Sequence, residues 1–371
     1  MFKDRESQPL LPGPPGSSSS YVLVIHGGAG TMTREGSTPE QRAAYHRVLK
    51  QALRAGYAVL SEGREAMDAV VAAVTVMEDC PLFNAGKGAV FNVAGKNELE
   101  ASLALSKPPE SHPRIKPSRR GSSITLLTRI RNPAKLARLL YLAQDDGVPH
   151  PMLSGAAAEQ AGAKFGADLV DPEYFFTKRR WVEHRRGLGL PEEPVPLPDD
   201  TDVPMLDLMP KGTVGAVALD IRGCIAACTS TGGRTNKLVG RIGDTPIMGC
   251  GFWAEEWTPK GKLRRLWRKV TRKNAKVAVG VSGTGDGDYF IRQNTASTVA
   301  RRMQYLGEPL HKSAQWVVDD LRVAGGDGGV IAIDDAGNVS MTLNCPGMYR
   351  GVIYEDGVPK TAIFADDELR E

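Results

Sequence analysis

Short apolar runs separated by turn residues recur along the chain, and they predict strands arranged as hairpins. The run YVLVIHGGAG, which begins at Tyr21, predicts a buried strand that leads into a glycine-rich loop. The runs GTVGAVALD and GCIAACTST are joined through residues 220–222, the pattern of a β-hairpin. Near the end, GGVIAIDDAGNVSMTLNCPGMYRG predicts two more strands about a turn at residues 335–337. SSITLLTRI and KVAVGVSGTG are further strand candidates.

Helical spacing of apolar residues predicts that the helices come in blocks. Two amphipathic stretches, at about residues 39–62 and 64–78, should pack together as one helical layer. Further helices are predicted for NPAKLARLLYLA, SGAAAEQAGAKFG, GDYFIRQNTASTVARRMQYLG and SAQWVVDDLRVAG. Because strands cluster as hairpins and helices as blocks, the pattern favours an α+β fold of antiparallel sheets covered by helices over a doubly wound parallel sheet.

Two segments rich in proline and small polar residues are expected to lie outside the regular elements. Residues 1–20 lack the apolar run of a secretory signal and have the composition of a disordered tail. The segment at about 178–212 contains PEEPVPLPDDTDVP, which is too rich in proline and aspartate for a helix or strand and predicts a linker. Residues 21–371 are expected to form a single domain.

The composition narrows the range of functions. In 371 residues, 47 Lys and Arg stand against 43 Asp and Glu, and a net charge of +4 argues against a dedicated nucleic-acid-binding protein. No apolar run is long enough to predict a membrane span. The odd number of cysteines and the lack of a CxxC pair signal neither a disulfide framework nor a zinc site, so we expect a cytoplasmic protein without a cofactor. The cysteines are Cys80, Cys224, Cys228, Cys250 and Cys345.

Thr213 stands where the proline-rich segment meets a predicted strand, directly after Gly212. If the peptide bond between them is cut, Thr213 carries both a hydroxyl nucleophile and a free α-amine. An α-amine with a pKa of about 8 is partly unprotonated at neutral pH and can act as the base that the hydroxyl needs. Gly212 offers no side chain to hinder an attack on its own carbonyl. A Gly-Thr pair at the start of a strand is common, so this signal alone is weak.

Several segments together resemble the plant-type asparaginase and isoaspartyl peptidase family. The longest is GTVGAVALDIRGCIAACTSTGGRTNKLVGRIGDTPIMGCG, and VIHGGAGT, CPLFNAGKGAVFN, NELEAS, SGTGDG and the run ending GMYRG also match in order, from Val24 to Gly351. The resemblance implies a four-layer αββα sandwich of the N-terminal-nucleophile hydrolase type. It also implies self-cleavage before Thr213 into an α chain, residues 1–212, and a β chain, residues 213–371.

The same resemblance implies roles for individual residues. Thr213 would be the nucleophile, and Thr231 a second threonine that supports it. Arg241 and Asp244 would hold the α-carboxylate and the α-amine of the substrate, for which a guanidinium and a carboxylate are chemically suited. A solvated ion pair is the alternative interpretation of these two residues.

Thr284 and Gly285 match the family's oxyanion hole, in which a hydroxyl and a backbone N–H face the developing negative charge and contribute to substrate binding. Ser282 lies two residues upstream, but the following DYFIR favours Thr284. Asn84 matches an asparagine that organises the nucleophile. The alternatives are a glycine turn for the Thr-Gly pair and a turn residue for Asn84.

No catalytic role is assigned to three further parts of the chain. His26 is interpreted as a structural histidine, since the α-amine already supplies a base, and the glycines after it as residues that let a backbone approach Thr213 closely. Glu100 occupies a place where the family usually has aspartate, which leaves its role in doubt. Whether the loop from Cys80 to Asn84 holds a monovalent cation is also undecided.

The chain departs from the family in an insertion at about residues 256–276, which is dense in lysine and arginine and contains Trp257 and Trp267. A solvated helical insertion near the mouth of the site is the preferred interpretation. Basic residues interleaved with tryptophan are also typical of surfaces that bind nucleic acid or anionic lipid.

These features predict a self-processing enzyme that hydrolyses L-asparagine to aspartate and ammonia, removes β-aspartyl residues from peptides, or does both. A glycosylasparaginase-like or threonine-endopeptidase-like enzyme is an alternative, although glycine rather than aspartate before Thr213 counts against both. A non-catalytic relative that binds through its basic insertion is another. The expected partners are a small-molecule or dipeptide substrate and, by resemblance, a second cleaved αβ protomer in a homodimer, with no membrane and no nucleic acid.

Overall fold

The computed structural model describes residues 21–143, 147–191, 212–259 and 276–371. The strands of these residues are β1 Val22–Gly30, β2 Leu99–Leu105, β3 Gly121–Leu127, β4 Met152–Ser154, β5 Val214–Leu219, β6 Ile225–Thr231, β7 Phe252–Trp257, β8 Val277–Gly285, β9 Gly328–Asp334, β10 Val339–Leu343, β11 Gly347–Ile353 and β12 Lys360–Phe364. The α-helices are α1 Pro39–Ser61, α2 Ala66–Glu78, α3 Pro133–Leu142, α4 Gly155–Lys164, α5 Lys178–Gly187, α6 Gly287–Gln293, α7 Thr295–Arg301 and α8 Leu310–Val323. The predicted α+β class is confirmed.

The strands form two sheets. The larger has the order β12-β11-β1-β5-β6-β2-β3-β4, and the smaller has the order β10-β9-β8-β7. All neighbouring strands are antiparallel except β3 and β4. The predicted hairpin is β5–β6, and the two strands predicted near the end are β9 and β10, but the last residues of that run form a third strand, β11, which pairs with β1.

Apolar residues alternate in direction along β1, and both faces of this strand are buried. Leu23 and Ile25 belong to a cluster with residues of α1 to α4. Val22 and Val24 belong to a second cluster that contains Ile331 of the smaller sheet. Successive side chains of a strand point to opposite faces, so β1 packs against helices on one side and against strands on the other. A third cluster joins β8 and β9 to α6, α7 and α8.

Helix α1 begins and packs as its sequence dictates. Thr38 and Gln41 form a capping box, and Pro39 occupies the first turn, where its missing N–H costs no hydrogen bond. Gly56 lies where α1 contacts the rest of the helical layer, and a Cβ there would come within 2.9 Å of the Ala69 carbonyl. The close contact of α1 with α2 and β1 therefore requires glycine at this position.

The helix predicted from GDYFIRQNTASTVARRMQYLG is interrupted. Asn294 has a φ of +51° and separates α6 from α7, and Arg302–Leu306 forms a π-helical turn. The break lets the first N–H groups of α7 bond outside the helix, because Ser297 N donates to Gly249 O at 2.8 Å and Ala296 N donates to Cys250 O at 3.1 Å. No proline or glycine marks this break, since asparagine tolerates the left-handed region.

The first ten residues of the predicted linker form helix α5, which Thr177 caps by accepting a hydrogen bond from Arg180 N. Most of the remainder of that linker, residues 192–211, lies outside the described residues, as do the predicted tail 1–20 and residues 260–275 of the basic insertion. The insertion connects β7 to β8. These two strands remain paired up to Trp257 and Val277, beside the two ends of the insertion. Among the described helices, none combines the length and apolar character that crossing a membrane requires.

Candidate active site

The residues predicted to form the site converge on one cavity of about 210 Å³. Most of them line it: Thr213, Thr231, Asn84, Arg241, Asp244 and Gly285. The cavity is smaller than the range of about 300–1,000 Å³ typical of pockets for drug-sized ligands, so it suits a ligand the size of an amino acid or a dipeptide.

Thr213 directly precedes β5 and is 7% exposed. Because Val214 pairs with Ser230 in the antiparallel β5–β6 ladder, the next pair in the same register is Thr213 and Thr231. The strand register therefore places the two threonines opposite each other at one end of the sheet. The Thr231 hydroxyl accepts a hydrogen bond from Gly233 N at 3.0 Å, which fixes the start of the loop after β6.

The backbone around Thr213 packs against the glycines that follow His26. Gly28 has a φ of +116°, and a Cβ there would lie 2.8 Å from Gly212 Cα, while a Cβ on Gly212 would overlap the Gly28 backbone. Glycine is needed on both sides, because neither backbone leaves room for a side chain. The glycines after His26 therefore approach the residue that directly precedes Thr213.

His26 lies behind Thr213 and holds its carbonyl. His26 Nδ1 donates to Thr213 O at 2.8 Å, and His26 Nε2 lies 2.8 Å from Ser282 Oγ, which in turn lies 2.8 Å from Thr229 Oγ1. Complete burial lowers the pKa of His26 to about 3, so the ring is neutral and Nε2 accepts from Ser282. Both ring nitrogens are engaged, which leaves His26 a positioning role.

Asn84 joins two loops at the edge of the cavity. Its side-chain nitrogen donates to Gly233 O at 2.7 Å, its side-chain oxygen accepts from Val90 N at 3.1 Å, and its carbonyl accepts from Gly232 N at 3.1 Å. Asn84 is 1% exposed. It fixes the loop that follows Thr231 against the loop of residues 84–90.

Arg241 and Asp244 line the cavity, and Asp288 contacts Arg241. Arg241 Nη2 donates to Asp288 Oδ1 at 2.9 Å. Asp244 Oδ2 is buried and has no hydrogen-bond partner among the described residues. Burial raises the pKa of Asp244 to about 7, and the negative charges of Glu100 and Asp288 add to this effect. A buried carboxylate oxygen without a partner is an unfavourable arrangement that a cationic ligand would relieve.

Glu100 supports the loop that carries Arg241 and Asp244. It is completely buried, and both of its carboxylate oxygens accept from Gly243 N, at 3.0 and 3.3 Å. The Thr125 hydroxyl donates to the same carboxylate at 3.2 Å. The longer side chain of glutamate thus reaches Gly243. Glu100, whose role was doubtful from the sequence, therefore supports the loop through its hydrogen bonds with Gly243 N.

Thr284 and Gly285 differ in their position relative to the cavity. Gly285 lines the cavity, whereas Thr284 is completely buried and is not part of the lining. The Thr284 hydroxyl accepts from Ala29 N at 3.2 Å. Residues 282 and 284 share one face of β8, so both hydroxyls point towards β1. That contact uses the Thr284 hydroxyl as an acceptor and does not engage its proton.

Arg180 and Glu183 are among the lining residues that the sequence analysis did not single out, because it assigned α5 to the linker. Their spacing of three residues places them on one helical face, and Arg180 Nη1 donates to Glu183 Oε2 at 2.7 Å. The cap at Thr177 followed by such a pair is the signal that could have revealed the helix. No cluster of three or more His, Cys, Asp or Glu side chains that could hold a metal ion occurs within the described ranges.

Known proteins resemble this chain over most of its length. The family model described as "Asparaginase" matches residues 19–258 and 274–363, and the gap between these ranges falls within the basic insertion. A protein of Escherichia coli K12 named "Isoaspartyl peptidase" is 36% identical over 93% of this chain and 96% of the relative. A Danio rerio protein and a Mus musculus protein, both named "Isoaspartyl peptidase/L-asparaginase", are each 32% identical, over 85% and 86% of this chain and 86% and 83% of the relatives.

The match extends over nearly the whole chain and includes every described residue that lines the cavity. With Thr213 placed opposite Thr231, in one cavity with Arg241 and Asp244, the chain belongs to the asparaginase family.

Proposed function

We propose that this protein is a proenzyme that cleaves itself between Gly212 and Thr213 and then hydrolyses L-asparagine, β-aspartyl peptides, or both. The observation that carries the proposal is the shared cavity, which joins Thr213 to Arg241 and to the unpartnered oxygen of Asp244. The names of the relatives, isoaspartyl peptidase and isoaspartyl peptidase/L-asparaginase, support the same chemistry.

Self-cleavage needs only the Thr213 hydroxyl, the neighbouring Gly212 carbonyl and a water molecule. The Thr213 hydroxyl attacks the Gly212 carbonyl, and the C–N bond breaks as the acyl group moves to the oxygen. Water then hydrolyses the resulting ester, which releases the Gly212 carboxylate and leaves Thr213 with a free α-amine. The contact between Gly28 and Gly212 supports this step, because it holds the carbonyl-bearing residue with no side chain in the path of attack.

Hydrolysis then uses the new chain end. The α-amine takes the proton from the Thr213 hydroxyl, whose oxygen attacks the side-chain amide carbon of the substrate. The amine of the leaving group departs with a proton, and water hydrolyses the ester to free the aspartyl product. Gly285 N–H and the Thr284 hydroxyl would stabilise the oxyanion, while Thr231 and Asn84 organise the nucleophile. Arg241 and Asp244 would bind the α-carboxylate and the α-ammonium of the substrate.

The proposal extends to the architecture. The three apolar clusters support a four-layer αββα sandwich of the N-terminal-nucleophile hydrolase type. The first joins helices to the larger sheet, the second joins the two sheets, and the third joins the smaller sheet to helices. By resemblance, the mature enzyme would be a homodimer of cleaved αβ protomers. A cytoplasmic location is also part of the proposal, and the five free thiols support it.

Intact mass measurement with N-terminal sequencing tests the maturation step. Purified protein is expected to contain two polypeptides, residues 1–212 and residues 213–371, the second beginning Thr-Val-Gly. The mature sample should release ammonia from L-asparagine or free amino acids from β-aspartyl dipeptides. A single uncut polypeptide that nevertheless hydrolyses these substrates would contradict the proposal.

The pH dependence of kcat/KM is expected to show two deprotonations on its acidic side. Asp244, with its pKa raised to about 7, must be ionised to bind the substrate ammonium. The Thr213 α-amine, with an ordinary pKa of about 8, must be unprotonated to act as base. Because both groups work in their deprotonated forms, kcat/KM should rise with a slope approaching two below pH 7 and level off above about pH 8.

The pH profile of mature Asp244→Asn provides the control. Asparagine cannot ionise in this range, so any residual activity should rise with a slope of one. A wild-type profile with a single deprotonation, or one that rises towards acid, would be inconsistent with the roles given to these two groups.

A further inference from the structure

A buried guanidinium at the cavity wall plays no part in the mechanism described so far. Arg180 is 2% exposed and lines the cavity that holds Thr213. Its Nε donates to Gly88 O at 2.8 Å, and its Nη1 donates to Glu183 Oε2 at 2.7 Å. The remaining nitrogen, Nη2, is buried and has no hydrogen-bond partner among the described residues. A buried guanidinium donor without an acceptor is costly, which points to a ligand atom that completes it.

The charges around Arg180 leave a positive excess. Glu183 is shared between two guanidiniums, since Arg179 Nε also donates to it, at 3.1 Å. Burial opposes ionisation of Glu183, but the charges of Arg180 and Arg179 hold its pKa below the usual value, so it remains a carboxylate. Two guanidinium groups and one carboxylate leave a net positive charge here, which favours an anionic ligand. A carboxylate fits a guanidinium edge, which presents its N–H groups in a fixed fork.

The charged side chains that line the cavity come from different parts of the chain. Arg241 and Asp244 lie on the loops after β6, whereas Arg180 lies on α5 and is tied to Gly88, in the loop that follows Asn84. Arg241 is paired with Asp288, whereas Asp244 Oδ2 has no hydrogen-bond partner among the described residues. A ligand with one ammonium and two carboxylates would supply a charge of the opposite sign to each of Asp244, Arg241 and Arg180.

We infer that Arg180 recognises the α-carboxylate of the amino acid released from a β-aspartyl dipeptide, and so determines a preference for such dipeptides over free asparagine. The inference rests on the proposed function, in which the aspartyl part occupies Arg241 and Asp244. The leaving residue of a β-aspartyl dipeptide carries a second carboxylate. Asparagine releases ammonia and offers Arg180 nothing to bind.

The test compares β-aspartyl-leucine with β-aspartyl-leucinamide, which differ only in that carboxylate. For the mature wild-type enzyme, kcat/KM is expected to be about 10- to 100-fold higher for the acid than for the amide, with the difference mainly in KM. In Arg180→Met this ratio should fall to about one. Arg179→Met is the matched control, because Arg179 binds the same Glu183 but does not line the cavity, and it should keep the wild-type ratio.

Each outcome of this comparison either supports the inference or overturns it. A wild-type enzyme that hydrolyses acid and amide equally well overturns it, and so does a large ratio that survives in Arg180→Met. If Arg180→Met fails to mature, Arg180→Gln, which keeps a donor for Gly88 O, is measured in the same way and should also lose the ratio. A wild-type enzyme that hydrolyses neither dipeptide nor asparagine would instead contradict the proposed function itself.

Discussion

Replacing Thr213 by alanine is expected to leave one uncut polypeptide of 371 residues and to lower asparagine hydrolysis by at least about 10⁴-fold. The substitution removes the hydroxyl that attacks the Gly212 carbonyl during maturation and the substrate amide during turnover. Among the described threonines that line the cavity, Thr213 is the one that directly follows a glycine, and that glycine packs against Gly28. A denaturing gel, intact mass and ammonia release measure the two effects.

Thr213→Ser is the matched control. It keeps the hydroxyl but loses the methyl group that restricts the side-chain rotamer, so maturation should proceed more slowly and activity should stay within about tenfold of wild type. If Thr213→Ala still divides into two polypeptides, or still releases ammonia at a measurable rate, another group performs the attack.

The second large effect is expected at Asp244. Asp244→Asn should lower kcat/KM for asparagine by about 10²- to 10³-fold, because the substrate ammonium would lose its buried anionic partner. Asparagine has nearly the same shape as aspartate, so the packing against Gly287, whose Cα hydrogens face the Asp244 carboxylate, is preserved. The measurement is steady-state kinetics on matured enzyme.

Succinamate, which is asparagine without its α-amine, separates binding of the ammonium from general damage. The wild-type enzyme should prefer asparagine to succinamate by a large factor, and Asp244→Asn should lose most of that preference. Equal loss on both substrates would show that Asp244 supports the site without contacting the ammonium.

Elements defined by local periodicity were predictable from the sequence. Helices α1 and α2 and the β5–β6 hairpin lie within a few residues of their predicted bounds, because the apolar spacing and turn residues that specify them are contiguous. The register that places Thr213 opposite Thr231 follows from that hairpin. The order of the larger sheet was not predictable, since β1 pairs with β11 and β5, which are far from it in sequence.

The missed features have physical causes as well. Helix α5 carries KRRWVEHRRG, which has too few apolar residues to show a buried face, so the position of Arg180 at the cavity could not be predicted. The break at Asn294 depends on carbonyls of a loop more than forty residues earlier in the chain. The direction of the Thr284 hydroxyl depends on Ala29, which only the packing of the two sheets brings close.

The strand order of the larger sheet determines what a cut before Thr213 does to the molecule. β1 comes from the first polypeptide but lies between β11 and β5 of the second, and β2 of the first pairs with β6 of the second. Backbone hydrogen bonds along these shared borders would keep the two pieces interleaved without any covalent link. The products of maturation would therefore behave as one cooperative unit, since neither polypeptide retains the complete larger sheet if the other is removed.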